Sequence, residues 1–299
     1  MRVYSEQIIS GKAIIRFDVA GGPERDRLVE DASFLNYRLG TVKVDKAVTK
    51  GKPDIVWHYD EAEKSIGYAD GQLVLKGFWE EGELNKIMVS MLANEMDQCG
   101  LHPFHSSSVL YKGKLILLVG GENNHGKSMS QLEGCRRGAL IFSTETTVTD
   151  ESGLALYGSK NLYIRKRAKG TERSDLPDQD EGVAKFFDRE PEMKMTYDPA
   201  NIDLAIMPGI DGHFDTRVTK MIRFEAAYQT YHSLMNFFGL NQLLCGRTGL
   251  VMPIIDTDER RQARGRFCAK FTEGRPYYMI RAKTPQIVFD EIDKILDKL

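Results

Sequence analysis

Leu115-Ile116-Leu117-Leu118-Val119, running into Gly120-Gly121-Glu122-Asn123-Asn124-His125-Gly126-Lys127-Ser128, is the stretch on which the fold reading turns. From residue 121 to 128 it satisfies G-x-x-x-x-G-K-[ST] in full. An apolar run leads in as a strand, and a helix is expected to start at 126–127, the strand–loop–helix setting that motif requires. The residue types have a physical reason. Glycines let the backbone curl so that successive N–H groups face one concavity, where they hold phosphate oxygens. The following helix adds its positive N-terminal end. Lys127 then reaches the β- and γ-phosphates as a point charge, and the Ser128 hydroxyl ligates Mg²⁺. Two features are unusual. Glu122 sets a carboxylate beside the phosphates, where it repels unless it points away or is bridged by metal. Asn123 and Asn124 stand where glycine or serine is common, although Asn tolerates left-handed backbone. His125 reads as exposed loop within reach of phosphate.

Outward from this stretch, 109–110 and 115–119 flank Lys112-Gly113-Lys114 as strand, turn and strand. A helix is expected over 127–137 and a strand over 139–142. Residues 153–157 and 161–164 read as a hairpin turning at Gly158-Ser159. Upstream, 13–19 and 54–59 are short β-prone runs, and 66–78 is a hairpin around Asp70-Gly71. A helix over 83–98 carries Leu84, Ile87, Met88, Met91, Leu92 and Met96 at helical spacing and stops at Gly100; the methionine-rich stripe is core. Downstream, 202–207, 250–255 and 277–280 read as strands. Helices are expected over 225–238, apolar all round and hence buried, over 258–271, and over 286–299. The 165–182 stretch turns basic, then acidic, and reads as an exposed loop, lid or plain connection. The fold class is α/β with a mixed sheet, divided into a strand-rich region with one helix (1–100) and a nucleotide-binding core (101–299).

Composition narrows the function. Across 299 residues, 41 basic and 43 acidic side chains give a net charge of −2, which supplies no bulk field for nucleic acid or an anionic membrane. The four cysteines form no CxxC pair, which argues against zinc ribbons and disulfide scaffolds. No leader-like apolar segment opens the chain and no run is long enough to span a bilayer, so a soluble, cytoplasmic protein is expected. Asp211-Gly212-His213-Phe214-Asp215 reads as a polar turn, with a metal cluster as the alternative. Arg260, Arg261, Arg264 and Arg266 form a basic helix face, either solvated or available to an acidic ligand.

Phe104-His105-Ser106-Ser107-Ser108-Val109, Lys112-Gly113-Lys114, the 115–119 strand, the glycine-rich loop and Arg137-Gly138 form an ordered block over 102–146. It resembles the catalytic core of the HPr kinase/phosphorylase-like family, whose nucleotide-binding fold is related to phosphoenolpyruvate carboxykinase. The resemblance implies a P-loop core of that type. It also implies an ATP- and Mg²⁺-dependent kinase acting on a hydroxyl, a serine of a protein or peptide or a small molecule. Nucleotide contacts fall on Gly121, Glu122, Asn123, Asn124, His125, Gly126, Lys127, Ser128 and Met129. Catalysis falls on His105, Lys127 and Glu145, and metal binding on Ser128 and Glu145. The family's pair of aspartates is replaced here by Thr144-Glu145, so a single Glu must hold Mg²⁺ through water or accept the hydroxyl proton. That leaves a nucleotide-binding regulator or slow NTPase as the alternative. A fortuitous loop on a structural protein is a third possibility. No counterpart of the HPr-docking signature is present. Members of the family assemble as oligomers, which admits a homo-oligomer.

Overall fold

The computed structural model describes residues 3–24, 27–29, 31–49, 51–120, 125–164, 183–186, 193–244 and 249–299. Local hairpins set its strand registers. Strands β1 (Val3–Ser10) and β2 (Ala13–Ala20) pair antiparallel across Gly11. After β3 (Val42–Asp45) and β4 (Ile55–His58), strands β5 (Ser65–Ala69) and β6 (Gln72–Lys76) form the expected hairpin. Its turn residues Asp70 (φ 51°) and Gly71 (φ 75°) are both left-handed, the geometry that matches strand twist. The six strands make a mixed sheet in the order β3-β1-β2-β4-β6-β5. A short helix, α1 (Ser33–Arg38), adds to the one helix expected in this region; six residues carry too little periodicity to read.

Helix α2 (Glu81–Gln98) opens with a capping box in which the Glu80 N–H donates to Glu83 Oε2 at 2.9 Å, and the chain leaves it at left-handed Gly100. Its buried face includes Leu84, Ile87, Met88, Met91, Leu92 and Met96, as the spacing predicts. One hydrophobic cluster continues from this helix into both sheets.

The second sheet contains β7 (Leu101–His105), β8 (Ser107–Tyr111), β9 (Lys114–Leu118), β10 (Leu140–Ser143), β11 (Thr146–Asp150), β12 (Leu154–Gly158), β15 (Ala200–Ile210), β16 (Arg217–Lys220) and β17 (Tyr277–Ala282). The path runs β10-β8-β9-β15-β12-β11-β7, with β17 also on β15 and β16 on β17. Strands β9, β15 and β17 are mutually parallel, so their C-terminal ends share one edge. Helix α3 (Lys127–Arg136) leaves β9 at that edge, and α7 (Pro285–Leu296) leaves β17. The two helices meet closely at Gly134, where a Cβ would lie 2.6 Å from the Phe289 ring. The mixed α+β class with mixed sheets agrees with the expectation. Among the described residues no helix is long and apolar enough to cross a membrane.

Four expectations need correction. Residues 153–157 and 161–164 do not pair with each other: β12 lies between β11 and β15, and β13 (Asn161–Ile164) pairs with β14 (Val183–Phe186). The cause is that Gly158 abuts Ser143 and Thr146, while the Ser159 hydroxyl accepts the N–H groups of Glu145 and Thr146. Residues 250–255 form no strand; Pro253 lacks a donor, and Val251 and Ile254 face outward. Helix α4 (Arg223–Met235) is amphipathic rather than buried all round, with Phe224 and Tyr228 exposed. In helix α6 (Asp258–Phe271), Arg264 is not part of any basic face. It is 1% exposed, pairs with Asp97 at 2.8 Å and with Asp256, and lies over the Phe238 ring. One short helix, α5 (Leu240–Leu244), was not expected. The 165–182 loop lies outside the described residues.

Candidate functional site

The glycine-rich segment leaves the parallel edge of the second sheet. Leu115, Ile116, Leu117 and Leu118 are fully buried, and the Val119 N–H donates to the Ile206 carbonyl at 2.8 Å, carrying the pairing one residue past β9. Gly121, Glu122, Asn123 and Asn124 lie outside the described residues. The chain is fixed again at His125, whose carbonyl accepts the Ile210 N–H at 3.2 Å. Gly126 caps α3 with φ 101°, and a Cβ there would sit 2.7 Å from the Ile210 side chain. Glycine is therefore required on both conformational and steric grounds. The first intrahelical bond of α3 runs from Ser130 N–H to the Gly126 carbonyl at 2.8 Å. Earlier N–H groups of that turn point out of the helix start, its electropositive end. Lys127 folds toward the segment and donates to the Gly120 carbonyl. Ser128 is half-buried, Met129 is exposed, and the buried Ser130 Oγ has no hydrogen-bond partner among the described residues.

His105, at the end of β7, is 5% exposed. Its Nδ1 lies 3.3 Å from Glu145 Oε1, outside hydrogen-bond alignment. The same Glu145 oxygen accepts from Arg38 Nη1 at 3.0 Å. Arg38 also donates to Asn236 Oδ1 at 3.1 Å and lies over the Phe237 ring. Main-chain bonds hold the pair: Ser106 N–H donates to the Glu145 carbonyl at 3.0 Å, and the Ser233 hydroxyl donates to the His105 carbonyl at 2.9 Å. Burial pushes the His105 pKa well below its ordinary 6.5, and the positive charges of Lys127, Arg38 and His232 push the same way. The imidazole is therefore neutral at physiological pH. The groups that act on it come from four separate elements, α1, α3, α4 and the turn before β11, where the Glu145 main chain works in the opposite direction.

Of the residues expected from sequence, Glu145 thus lies against His105, and Lys127 acts on His105 through its charge. Thr144 has no ionic role: it is buried, with its hydroxyl bonded to the Asn161 and Ser159 carbonyls. Two serines of the β7–β8 stretch, Ser106 and Ser108, belong to a structural hydroxyl network. Ser108, Ser143 and Thr147 share hydroxyl contacts of 2.6–3.1 Å, Ser106 joins through Thr147, and Gln131 of α3 donates to the Ser143 carbonyl at 2.6 Å. This network ties the α3 helix to β8, β10 and β11. Sequence reading missed Arg38, His232 and Asn236. Each acts from far along the chain, Arg38 meeting Glu145 across 107 positions, so no local pattern marks them.

Residues 211–215 form a turn after β15: the His213 N–H donates to Asp211 Oδ1 at 3.0 Å, and the Phe214 N–H to the Asp211 carbonyl at 2.9 Å. Among the described residues no group of three or more His, Cys, Asp or Glu is arranged to hold a metal. A cavity of about 510 Å³ lies beyond α1, lined by Asn36, Tyr157, Lys160 and Tyr197 among others. Burial lowers the Lys160 pKa to about 8, and its ammonium donates to the Phe142 and Thr196 carbonyls. No protein-family model and no curated protein matches the chain.

Proposed function

We propose that the chain is an ATP-dependent kinase with a P-loop nucleotide-binding core of the HPr kinase type. It transfers the γ-phosphoryl group to a hydroxyl, a serine of a protein or peptide or the hydroxyl of a small molecule. The observation that carries this reading is that Lys127, at the start of α3, and Arg38 both act by charge on the buried His105 beside Glu145. Two cationic side chains, Lys127 and Arg38, act on His105 and one carboxylate faces it. A site with that excess of positive charge is suited to a polyanion.

In this reading the α3 N-terminus and Lys127 hold the β- and γ-phosphates. The acceptor oxygen bonds to the γ-phosphorus as the bond to the bridging oxygen breaks, and ADP carries away the electron pair. Glu145 takes the acceptor proton, with Arg38 holding its carboxylate in place. Neutral His105 orients the acceptor without adding charge. Ser128 and Glu145 offer the hard oxygen donors that magnesium takes, and the bound ion would neutralise phosphate charge.

A second reading, a nucleotide-binding regulator or slow NTPase, is favoured by two observations. Thr144 stands where a carboxylate is expected, and Glu145 is engaged by Arg38. Incubation with γ-labelled Mg·ATP and candidate acceptors separates them. The kinase predicts label on a serine-containing polypeptide or a small hydroxyl compound, abolished in Glu145→Gln. Label appearing only as slowly released inorganic phosphate, whatever acceptor is offered, would favour the regulator.

A further inference from the structure

The cavity of about 510 Å³ beyond α1 takes no part in the chemistry above, and its lining comes from distant parts of the chain. Asp31, Asn36 and Thr41 belong to α1 and its flanks, whereas Tyr157, Lys160 and Tyr197 belong to β12 and the segments after it. Ligand sites favour such junctions between packed units. The lining is fixed in advance. Asn36 Nδ2 donates to the Val42 carbonyl at 3.0 Å, and its Oδ1 accepts the Val42 N–H at 2.7 Å. Those bonds close a corner at Gly40 (φ 75°) and Thr41 (φ 50°), both left-handed. A Cβ on Gly40 would lie 2.5 Å from the Gly158 backbone, so only glycine fits there. Thr41 is β-branched, and for that residue type left-handed backbone is an outlier. Strain of this kind persists where the surroundings over-determine it, and it gathers at ligand sites.

Lys160 is the one cation among the described lining residues. Its ammonium carries three N–H groups. Two are engaged, by the Phe142 carbonyl and by the Thr196 carbonyl at 2.8 Å. The rings of Phe142 and Tyr197 lie 5.2 and 4.8 Å from the nitrogen. Lys64, another part-buried lysine, meets Glu83 at 2.7 Å. Lys160 meets no carboxylate among the described residues, and burial alone accounts for its lowered pKa. Asp31, the one acid of the described lining, is exposed and turns its Oδ1 to the Ser33 N–H at 2.8 Å and to the Ser33 hydroxyl. A half-buried ammonium without its anion is set to take one anionic oxygen from outside the chain.

We propose that this cavity binds a small organic monocarboxylate, held at its carboxylate by Lys160 and along its body by Tyr157 and Tyr197. One cation, with Asp31 on the same lining, matches a single negative charge better than the double charge of a phosphate. A volume of about 510 Å³ is that of a site for a metabolite-sized molecule. The assignment stands apart from the nucleotide reading.

The probe is 2-naphthoate, titrated by calorimetry into the full chain, with 2-naphthamide as its uncharged twin and inorganic phosphate as the dianion. One-site binding of naphthoate is expected, at least about tenfold tighter than binding of the amide or of phosphate, as a charge-assisted hydrogen bond supplies. Lys160→Met should bring naphthoate down to the affinity of the amide. That variant also frees two carbonyls, so its fold is checked by circular dichroism. Tyr197→Ala removes a side chain that is 68% exposed and leaves the core intact. It should weaken naphthoate and naphthamide alike, and it carries the test should Lys160→Met not fold. Equal wild-type affinity for acid and amide, or for acid and phosphate, would overturn the assignment. So would naphthoate binding unchanged in folded Lys160→Met or in Tyr197→Ala, or no naphthoate binding by a wild-type preparation that still binds Mg·ATP or still melts cooperatively.

Discussion

Arg264 is buried and Arg38 partly buried, and the charges around them differ. Arg264 meets two carboxylates, Asp97 and Asp256, with His102 Nδ1 a further 3.5 Å from Asp97 and the His102 ring stacked on Phe267. Arg38 meets one carboxylate, Glu145, and shares its neighbourhood with Lys127 and His232. The first cluster is closed: its positive charge is matched within the chain, and it pins α6 to the end of α2. The second has more positive than negative charge and lies beside the C-terminal end of β9. A buried arginine is therefore no sign of function in itself; the balance of charge around it separates a structural clamp from a site that takes an anion.

The comparison can be broken most easily at Arg264. Arg264→Ala leaves Asp97 buried without its arginine and Asp256 with only Arg261 at 3.9 Å, and should cost about 3–5 kcal/mol of stability, read by urea unfolding. A loss under about 1 kcal/mol, the level of an exposed pair, would show that the closed cluster is not a clamp. Glu145→Gln tests the other cluster. It should reduce phosphoryl transfer by about 10²–10⁴-fold, the usual range for a general base, while nucleotide affinity changes little. Unaltered turnover would remove Glu145 from the chemistry.

Acid provides a smaller test. Because the folded pKa of His105 lies below its ordinary 6.5, the unfolded chain binds its proton first as pH falls. His105 thus costs no stability above about 6.5, and stability declines below that value until the native imidazole also protonates. His105→Gln should flatten that part of the stability–pH curve; an unchanged curve would mean the histidine is not held neutral. The smallest effect concerns the excess charge itself. Arg38→Met should raise the His105 pKa, visible by NMR of the imidazole, whereas burial alone predicts no response to removal of a distant charge.

Features written in short-range pattern were legible from the sequence. The strand into the glycine segment, the α3 start at Gly126 and the amphipathic α7 all follow from residues adjacent or one helical turn apart. Hairpin turns at Asp70-Gly71 and Lys112-Gly113 were equally plain, because left-handed backbone demands particular residues. What could not be read was pairing over long distance. Arg264 looks like one more exposed basic residue until Asp97, 167 positions earlier, is brought to it. Arg38 on a six-residue helix gives no hint that it faces Glu145. Helix α4 misled in the opposite direction: its apolar composition suggested burial, yet Phe224, Tyr228 and His232 stack in series along its outer side.

The central claim is that the open, positively charged cluster receives nucleotide phosphates. Calorimetric titration of Mg·ATP into wild-type protein and Lys127→Ala addresses it directly. Saturable one-site binding by the wild type, weakened about 10²–10³-fold in Lys127→Ala, is the predicted result. Absence of binding by the wild type, or equal affinity in the two proteins, would contradict it.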